Sequence, residues 1–275
     1  MVIYSYLQLK NEGEKMDLIK YPRTHHLEGS RLQQGDEDLS QIPFSTIKGK
    51  YLVIEEKVDG ANCAISFNEK KELLLQSRGH YLTGGYRERH FNFLKQWASI
   101  HQDEFYQVLT TRYIMYGEWV YAKHTVYYDK LPHYFLEFDV YDKEKKIFLS
   151  TSSRRKLLKD LPVYSVPVLV EGRFNSIDDI LKYIGKSNYI SDNHLENLKE
   201  TAIKLNLDPE RQLRETDNTD LMEGLYIKYE DEEKVIDRMK YVRYSFLQTV
   251  TTSETHWLDR PIVPNKLDKD INELF

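Results

Sequence analysis

The sequence predicts an α+β fold: antiparallel β-sheets flanked by helices, with a ligand lying between the sheets. Three observations carry this expectation. Short β-rich runs recur from Tyr51 to Arg78, around Glu118 and Phe138, and again after Glu223. Apolar residues at helical spacing fill stretches between them, most clearly from Arg89 to Leu109. Tight polar turns join neighbouring runs, as at Asn68-Glu69-Lys70 and Asp231-Glu232-Glu233. Helices around an antiparallel core then give the layered plan.

Each element follows in chain order. The runs 51–56, 63–67 and 73–78 read as a three-stranded meander. One long helix is expected over 89–109, where Phe93, Leu94, Trp97, Ile100 and Phe105 recur on one face. Two more strands carry Glu118 and Phe138, and Ser152 or Ser153 is placed to cap a short helix reaching Leu158. Amphipathic helices are expected over 177–184 and 194–205, after which the chain returns to strands. A domain over 1–244, including a loop segment at 20–45, precedes a short helical appendage at 245–275, in which Phe246, Leu247 and Trp257 can dock on the core. The sequence has no internal repeat and no low-complexity segment.

Composition bounds the function classes. With 275 residues, 40% of them hydrophobic, the chain buries a sizeable core. A net charge of −5 excludes a surface coated in positive charge, so any nucleic-acid contact must be a local basic groove. The single cysteine, Cys63, excludes an internal disulfide and a cysteine-built zinc site, and suits a reducing cytoplasm. There is no run of membrane-spanning length and no signal-peptide core, so a cytoplasmic protein is expected.

The chemistry concentrates at Lys57, in Ile54-Glu55-Glu56-Lys57-Val58-Asp59-Gly60-Ala61-Asn62. A lysine at the end of an apolar strand becomes a nucleophile when burial or a neighbouring cation frees its lone pair, and it can then displace pyrophosphate from a nucleoside triphosphate. Lys-x-Asp-Gly alone is a weak signal, and it occurs once here. Ordered partners strengthen it. Glu118 follows Gly117, where a ligand can approach the backbone, in a β-rich run. Phe138 lies in an aromatic strand able to offer a ring face to a base. Of four Glu-Gly pairs, only Glu223-Gly224 has a lysine four residues after its glycine, at Lys228. Arg238, Lys240 and Arg243 close the series. Taken singly, these groups read as core aromatics, strand-edge charges and a solvated basic face; the ordered conjunction points to phosphoryl transfer.

From about Tyr51 to Arg243 the chain resembles the covalent nucleotidyltransferase superfamily of ATP-dependent ligases and capping enzymes, and looks most like the ATP-dependent RNA ligases. The resemblance implies a ligase-type nucleotidyltransferase domain in which Lys57 carries AMP. It also implies Glu56 on the adenine side, Asn62 near the ribose and phosphate, and Arg78 on a phosphate. Glu118 would accept a ribose hydroxyl or orient metal-bound water, and Phe138 would stack on adenine. Glu223 falls in the next motif with Lys228, which lies near the α-phosphate, and Arg238 and Lys240 clamp that phosphate, with Arg238 or Arg243 as the second cation. Chemistry of the residues adds magnesium or manganese, with Asp59, Glu118 and Glu223 as its holders through water.

The expected reaction has three steps: Lys57 takes AMP from ATP, AMP passes to an RNA 5′-phosphate, and a 3′-hydroxyl displaces it to seal the strand. RNA with those two end groups is the expected partner, in RNA repair, with a polynucleotide kinase/phosphatase to prepare the ends and no membrane. Only 32 residues follow Arg243, too few for the second oligonucleotide-binding barrel of DNA ligases and capping enzymes, so no C-terminal OB barrel is expected. A GTP-dependent capping-type guanylyltransferase, a DNA nick ligase and a non-catalytic RNA-binding module are the alternatives. Tyr21 to Arg31 supplies Arg23, His25 and Arg31 as RNA-gripping candidates beside Arg243, or is a plain loop continued by 33–38. Adjacent His25 and His26 point differently on a regular backbone and make a poor metal pair.

Overall fold

A computed structural model describes residues 18–32, 39–252 and 261–275. In chain order the first elements are β1 (His25–Leu27), β2 (Gln41–Ile42), β3 (Tyr51–Lys57), β4 (Ala61–Phe67), β5 (Leu73–Ser77), α1 (Asn92–Ile100), α2 (Gln102–Leu109), β6 (Tyr113–Trp119), β7 (Phe135–Asp142) and β8 (Ile147–Phe148). There follow α3 (Thr151–Leu158), β9 (Tyr164–Ser165), β10 (Val168–Arg173), α4 (Asp178–Leu181), α5 (His194–Lys204), α6 (Pro209–Arg214), β11 (Gly224–Glu230), β12 (Val235–Val242) and α7 (Tyr244–Thr252). The strands form two sheets. The first has the order β10-β3-β11-β12-β1-β2, and the second has β5-β4-β6-β7-β8 with β9 also on β7. Pairing is antiparallel except around β1 and at β9, which is the α+β plan the sequence predicts. Among the described residues no helix is long and apolar enough to cross a membrane.

Side-chain alternation explains why the two sheets enclose a polar space. On β3, Leu52 and Ile54 face outward, joining Leu225, Ile227 and Met239 in a core closed by Phe44, Phe174 and Ile180. The second sheet buries Ile65, Phe67, Met115 and Phe135 against Leu94, Trp97, Phe105 and Leu109 of α1 and α2. Each sheet thus has its own apolar core, and the first turns Glu55, Lys57, Tyr226, Lys228, Arg238 and Lys240 to one shared face: in the β3/β11/β12 register Glu55 pairs with Tyr226 and Tyr226 with Lys240, while Lys228 pairs with Arg238.

Several expectations change. Strands β3 and β4 do not make a meander, because they belong to different sheets and the chain crosses over at Val58–Gly60. Gly60 permits the crossing, since a Cβ there would sit 2.8 Å from the Trp119 carbonyl. The long helix is two helices, broken at His101 (φ −94°, ψ 15°), and Ile100 is exposed; apolar spacing continues through the break, so periodicity does not register it. The cap of α3 is Ser150, whose side chain accepts from the Ser153 N–H. Helix α4 covers only four residues of the expected 177–184, and α5 matches its expectation closely. The Asn68 and Asp231 turns form as expected, each carboxamide or carboxylate oxygen accepting backbone N–H groups two and more residues on.

The chain termini differ most. His25 to Leu27 is a strand rather than a loop, paired in parallel with β12, and His26 is buried against the Ser30 hydroxyl at 2.7 Å. The loop at 33–38 and Trp257 lie outside the described residues. Phe246 and Leu247 do dock on the core from α7. Further on, residues 261–275 run along 121–131 and end in a 3-10 turn at Ile271–Leu274. Buried Asn265 fastens this segment, accepting from the Tyr128 N–H (2.9 Å) and donating to the Val120 carbonyl (2.7 Å).

Beside α1 lies a group whose protonation couples stability to pH. His133 is buried against Trp97, its Nδ1 accepting from the Phe135 N–H at 2.9 Å, and burial pushes its pKa from 6.5 down to about 4. The unfolded chain therefore takes up this proton first, so the contribution is complete above the unfolded value and is lost as pH falls toward the folded one. Between about pH 7 and about pH 5 the loss is about 2 kcal/mol. Urea unfolding of the wild type and of His133→Asn, whose amide oxygen can take over the Phe135 bond, should show that much less pH dependence in the variant.

Candidate active site

Between the sheets lies a cleft of about 1200 Å³. Lys57, Asp59, Asn62, Arg78, Glu118, Phe138, Glu223 and Lys240 all border it, so eight residues spread over more than 180 positions of sequence meet in one place. Glu56 borders it too, but alternation turns its carboxylate to the other face of β3. There it accepts from Ser187 Oγ (2.5 Å), Asn188 Nδ2 (2.7 Å) and the Asn188 N–H (3.1 Å). Burial raises the Glu56 pKa against these bonds.

Lys57 ends β3 where the chain leaves the first sheet, directly opposite Gly224. Gly224 is required by close approach, since a Cβ would fall 1.9 Å from the Tyr241 carbonyl oxygen. Lys57 Nζ donates to Glu223 Oε2 at 2.7 Å, and 21% of the lysine side chain remains accessible. Glu118, on β6, pairs in register with Asn62 on β4, which brings the second sheet's polar groups to the same point. Gly117 serves packing and not ligand approach, because the Phe135 ring fills the space a Cβ would take.

The electrostatics overturn one expectation. Burial pushes the Lys57 ammonium toward its neutral form, but Glu223, Glu118 and Asp59 outweigh it and the net pKa is raised. The carboxylates respond in kind: burial raises Glu223, and burial together with Glu223 and Asp59 pushes Glu118 up to about 8 despite Lys57. The chain's own residues therefore hold Lys57 charged. This excess of buried acid is what a divalent cation fits. Among the described residues no three carboxylates, imidazoles or thiols can ligate one ion directly, so Glu118 and Glu223 would hold it through water or substrate oxygens. Asp59 is largely committed elsewhere. Its Oδ2 accepts from the Thr125 (2.7 Å) and Val126 (2.9 Å) N–H groups, while its own N–H donates to the Tyr128 hydroxyl, so its charge reaches the site more than its lone pairs.

The remaining cations separate. Lys228 is fully buried behind the cleft, its Nζ donating to the Phe138 carbonyl (2.5 Å) and pairing with Glu55 (2.9 Å) and Asp139 (3.1 Å). Arg238 lies beside it, 3.8 Å from the Phe148 ring centroid and 3.5 Å from Asp139. Neither borders the cleft, and of the basic trio only Lys240 does. Arg243 is taken up by Asp217, Thr219, Ser245 and the Met222 carbonyl, which removes it from any RNA contact. Arg23 and Arg31 are exposed and His25 partly so, outside the cleft; Arg31 covers the Tyr244 ring and His25 faces the Ser40 carbonyl.

Sequence reasoning missed other bordering residues. Tyr21 and Tyr226 stand beside Phe138, with the Tyr21 ring centroid 5.1 Å and the Tyr226 centroid 6.3 Å from it. His124 faces Asp59 at 3.8 Å. Tyr86, Arg87 and Arg89 follow Gly84-Gly85, and that glycine pair ahead of Tyr-Arg-Glu-Arg is the signal that could have found them.

An accessible strand-end lysine thus lies among buried carboxylates, with a strand aromatic and a cleft cation on the same cleft. The family model for RNA ligase matches residues 50–242, and the chain belongs to the RNA ligase family. No curated protein matches it by sequence. An RNA ligase of Naegleria gruberi, solved as a mutant with ATP and Mn, shares the fold at TM-score 0.51 and 15% identity, covering 84% of this chain and 58% of its own. The same organism's RNA ligase with AMP and Mn gives TM-score 0.49 at 18% identity, covering 74% of this chain and 53% of that one. With PPi the values are 0.49 and 17%, covering 84% and 60%. The chain thus spans a little over half the length of these solved ligases.

Proposed function

We propose that this chain is an ATP-dependent RNA ligase acting through a lysyl-AMP intermediate. The observation that carries the proposal is the position of Lys57 Nζ, open to the cleft and 2.7 Å from Glu223, with Glu118, Phe138 and Lys240 bordering the same space. Similarity in fold to a ligase solved with ATP and Mn supports the choice of nucleotide and metal. A bound magnesium or manganese ion supplies positive charge that favours the neutral amine and offsets charge at the α-phosphate.

The chain's residues then account for each step. The neutral Lys57 amine attacks the α-phosphorus, a P–N bond forms, the bond to pyrophosphate breaks, and the nitrogen gives up a proton to solvent. Lys240 neutralises charge on the α-phosphoryl oxygens, Arg78 takes a phosphate, and Phe138 offers its ring to adenine. An oxygen of the RNA 5′-phosphate next attacks the same phosphorus, forming a P–O bond while the P–N bond breaks and the nitrogen takes a proton from solvent, which restores the amine. Finally the 3′-hydroxyl attacks the 5′-phosphate, its proton is lost to solvent, and AMP leaves. Every group named lies within the proposed 1–244 domain. A ligase needing these ends suits RNA repair downstream of a polynucleotide kinase/phosphatase, and the one buried free cysteine suits the cytoplasm.

The test is incubation with α-labelled ATP or GTP and a divalent metal, followed by addition of RNA carrying 5′-phosphate and 3′-hydroxyl ends. Acid-stable label from ATP, chased into RNA and then released as AMP with sealing, is the expected sequence of events. Label from GTP alone, or RNA binding with no labelled protein, would overturn it.

A further inference from the structure

The mouth of the cleft carries a feature that the three chemical steps leave unused. Tyr86 opens a 3-10 turn (Tyr86–Phe91) and is 79% exposed, an unusual position for a large aromatic on a cleft border. The Arg89 guanidinium carbon lies 4.4 Å from its ring centroid and supports the ring from one side. Arg78 and Arg87 are exposed on the same border. None of these three arginines forms an ion pair among the described residues, although the chain as a whole carries a net charge of −5. A cluster of unneutralised cations on an acidic protein marks a place that meets negative charge.

The lip is a built structure. Gly84 and Gly85 adopt φ of 120° and 117°, a region that excludes other side chains, and so turn the chain out to present Tyr86. Buried Glu88 fixes the turn from below. It accepts from the Thr83 (3.2 Å) and Gly84 (2.8 Å) N–H groups and pairs with Lys95 at 2.5 Å. The Trp119 indole N–H closes the far end on the His90 carbonyl at 2.7 Å. A fixed aromatic face flanked by free cations is the arrangement that holds a single-stranded nucleic acid, by base stacking and phosphate neutralisation together.

We propose that this lip grips an RNA end whose terminal nucleotide is unpaired: Tyr86 takes the base face, and Arg87 takes a backbone phosphate. The inference rests on the ligase reading for the identity of the acceptor, and it narrows the substrate class to single-stranded ends over fully paired nicks. A base inside a duplex shows no free face to Tyr86, because both faces are stacked.

Fluorescence anisotropy without ATP tests it, using a 5′-phosphorylated single-stranded oligoribonucleotide and a fully paired nicked duplex against wild type, Tyr86→Ala, Tyr86→Phe and Arg87→Gln. Tyr86→Ala should bind the single strand about ten-fold more weakly and Tyr86→Phe should restore binding. Arg87→Gln should lower the slope of log affinity against log salt by about 0.7, the value for one phosphate on a single strand. Tighter binding of the paired nick than of the single strand by wild type, or unaltered single-strand binding by Tyr86→Ala, would overturn the proposal. Because no ATP is present, a protein that never takes up label would reject the ligase reading and leave this result standing on its own.

Discussion

Lys57→Ala is expected to abolish covalent labelling by ATP, lowering it by roughly 10⁴-fold or more as the loss of a nucleophile does. Lys57→Arg should fail equally, although it keeps the positive charge beside Glu223, since a guanidinium does not lose its proton in the working range. That pair separates nucleophilicity from charge. The wild type carries a second signature. The carboxylates around Lys57 outweigh its burial and raise its pKa, so the reactive neutral form is scarce at neutral pH and grows as pH rises. Labelling rate should therefore climb from about pH 6 to about pH 8. Metal enters the same balance, so raising its concentration should move the profile toward lower pH. Label that persists on Lys57→Ala, or a rate that falls as pH rises, would reject Lys57 as the carrier.

Arg154→Met should be the most destabilising single substitution outside the cleft. Arg154, on α3, has no exposed surface and joins the two sheets by pairing with Glu55 of β3 and, at 2.5 Å, with Glu137 of β7. Lys228 and Arg238 of the first sheet answer Asp139 of β7, and together they hold its pKa down against burial. Three buried cations thus balance three buried carboxylates across the inter-sheet seam. Methionine fills much of the space but leaves Glu55 and Glu137 short of positive charge, at a cost of about 3–5 kcal/mol. The exposed Lys145–Glu233 pair has an equally short contact of 2.5 Å, yet solvent screens it, and Lys145→Ala should leave the urea midpoint nearly unchanged. Urea midpoints at an unchanged slope measure both. An Arg154→Met loss as small as that of Lys145→Ala would show that the seam does not depend on its charges.

The two predictions divide along what was legible. Lys57, Glu118, Phe138 and Glu223 stand out in the sequence because their short motifs occur in a fixed order, and the structure brings all four to one cleft. Lys228 stands out for the same reason, yet its side chain points behind the cleft into the ionic seam. Arg154, Glu55 and Glu137 carry no sequence signal, because a buried ion pair is recognisable only once its partner is placed. Nor does periodicity reveal β1, a three-residue strand that exists by pairing with a segment more than 200 residues away.

Local chemistry and period are properties of neighbouring residues, so the chain by itself determined its β-rich motif strands, its polar turns, the amphipathic α5 and the lysine that ends a motif strand. Which strands share a sheet is a matter of long-range register, and only the tertiary structure decided it. The crossing at Val58–Gly60 shows the difference. Three residues of one motif part there into a lysine open to the cleft, a clasp on the 125–126 backbone and a glycine that lets the chain pass beneath Trp119. Their order in sequence was visible, but the division of labour arises from what lies across the cleft.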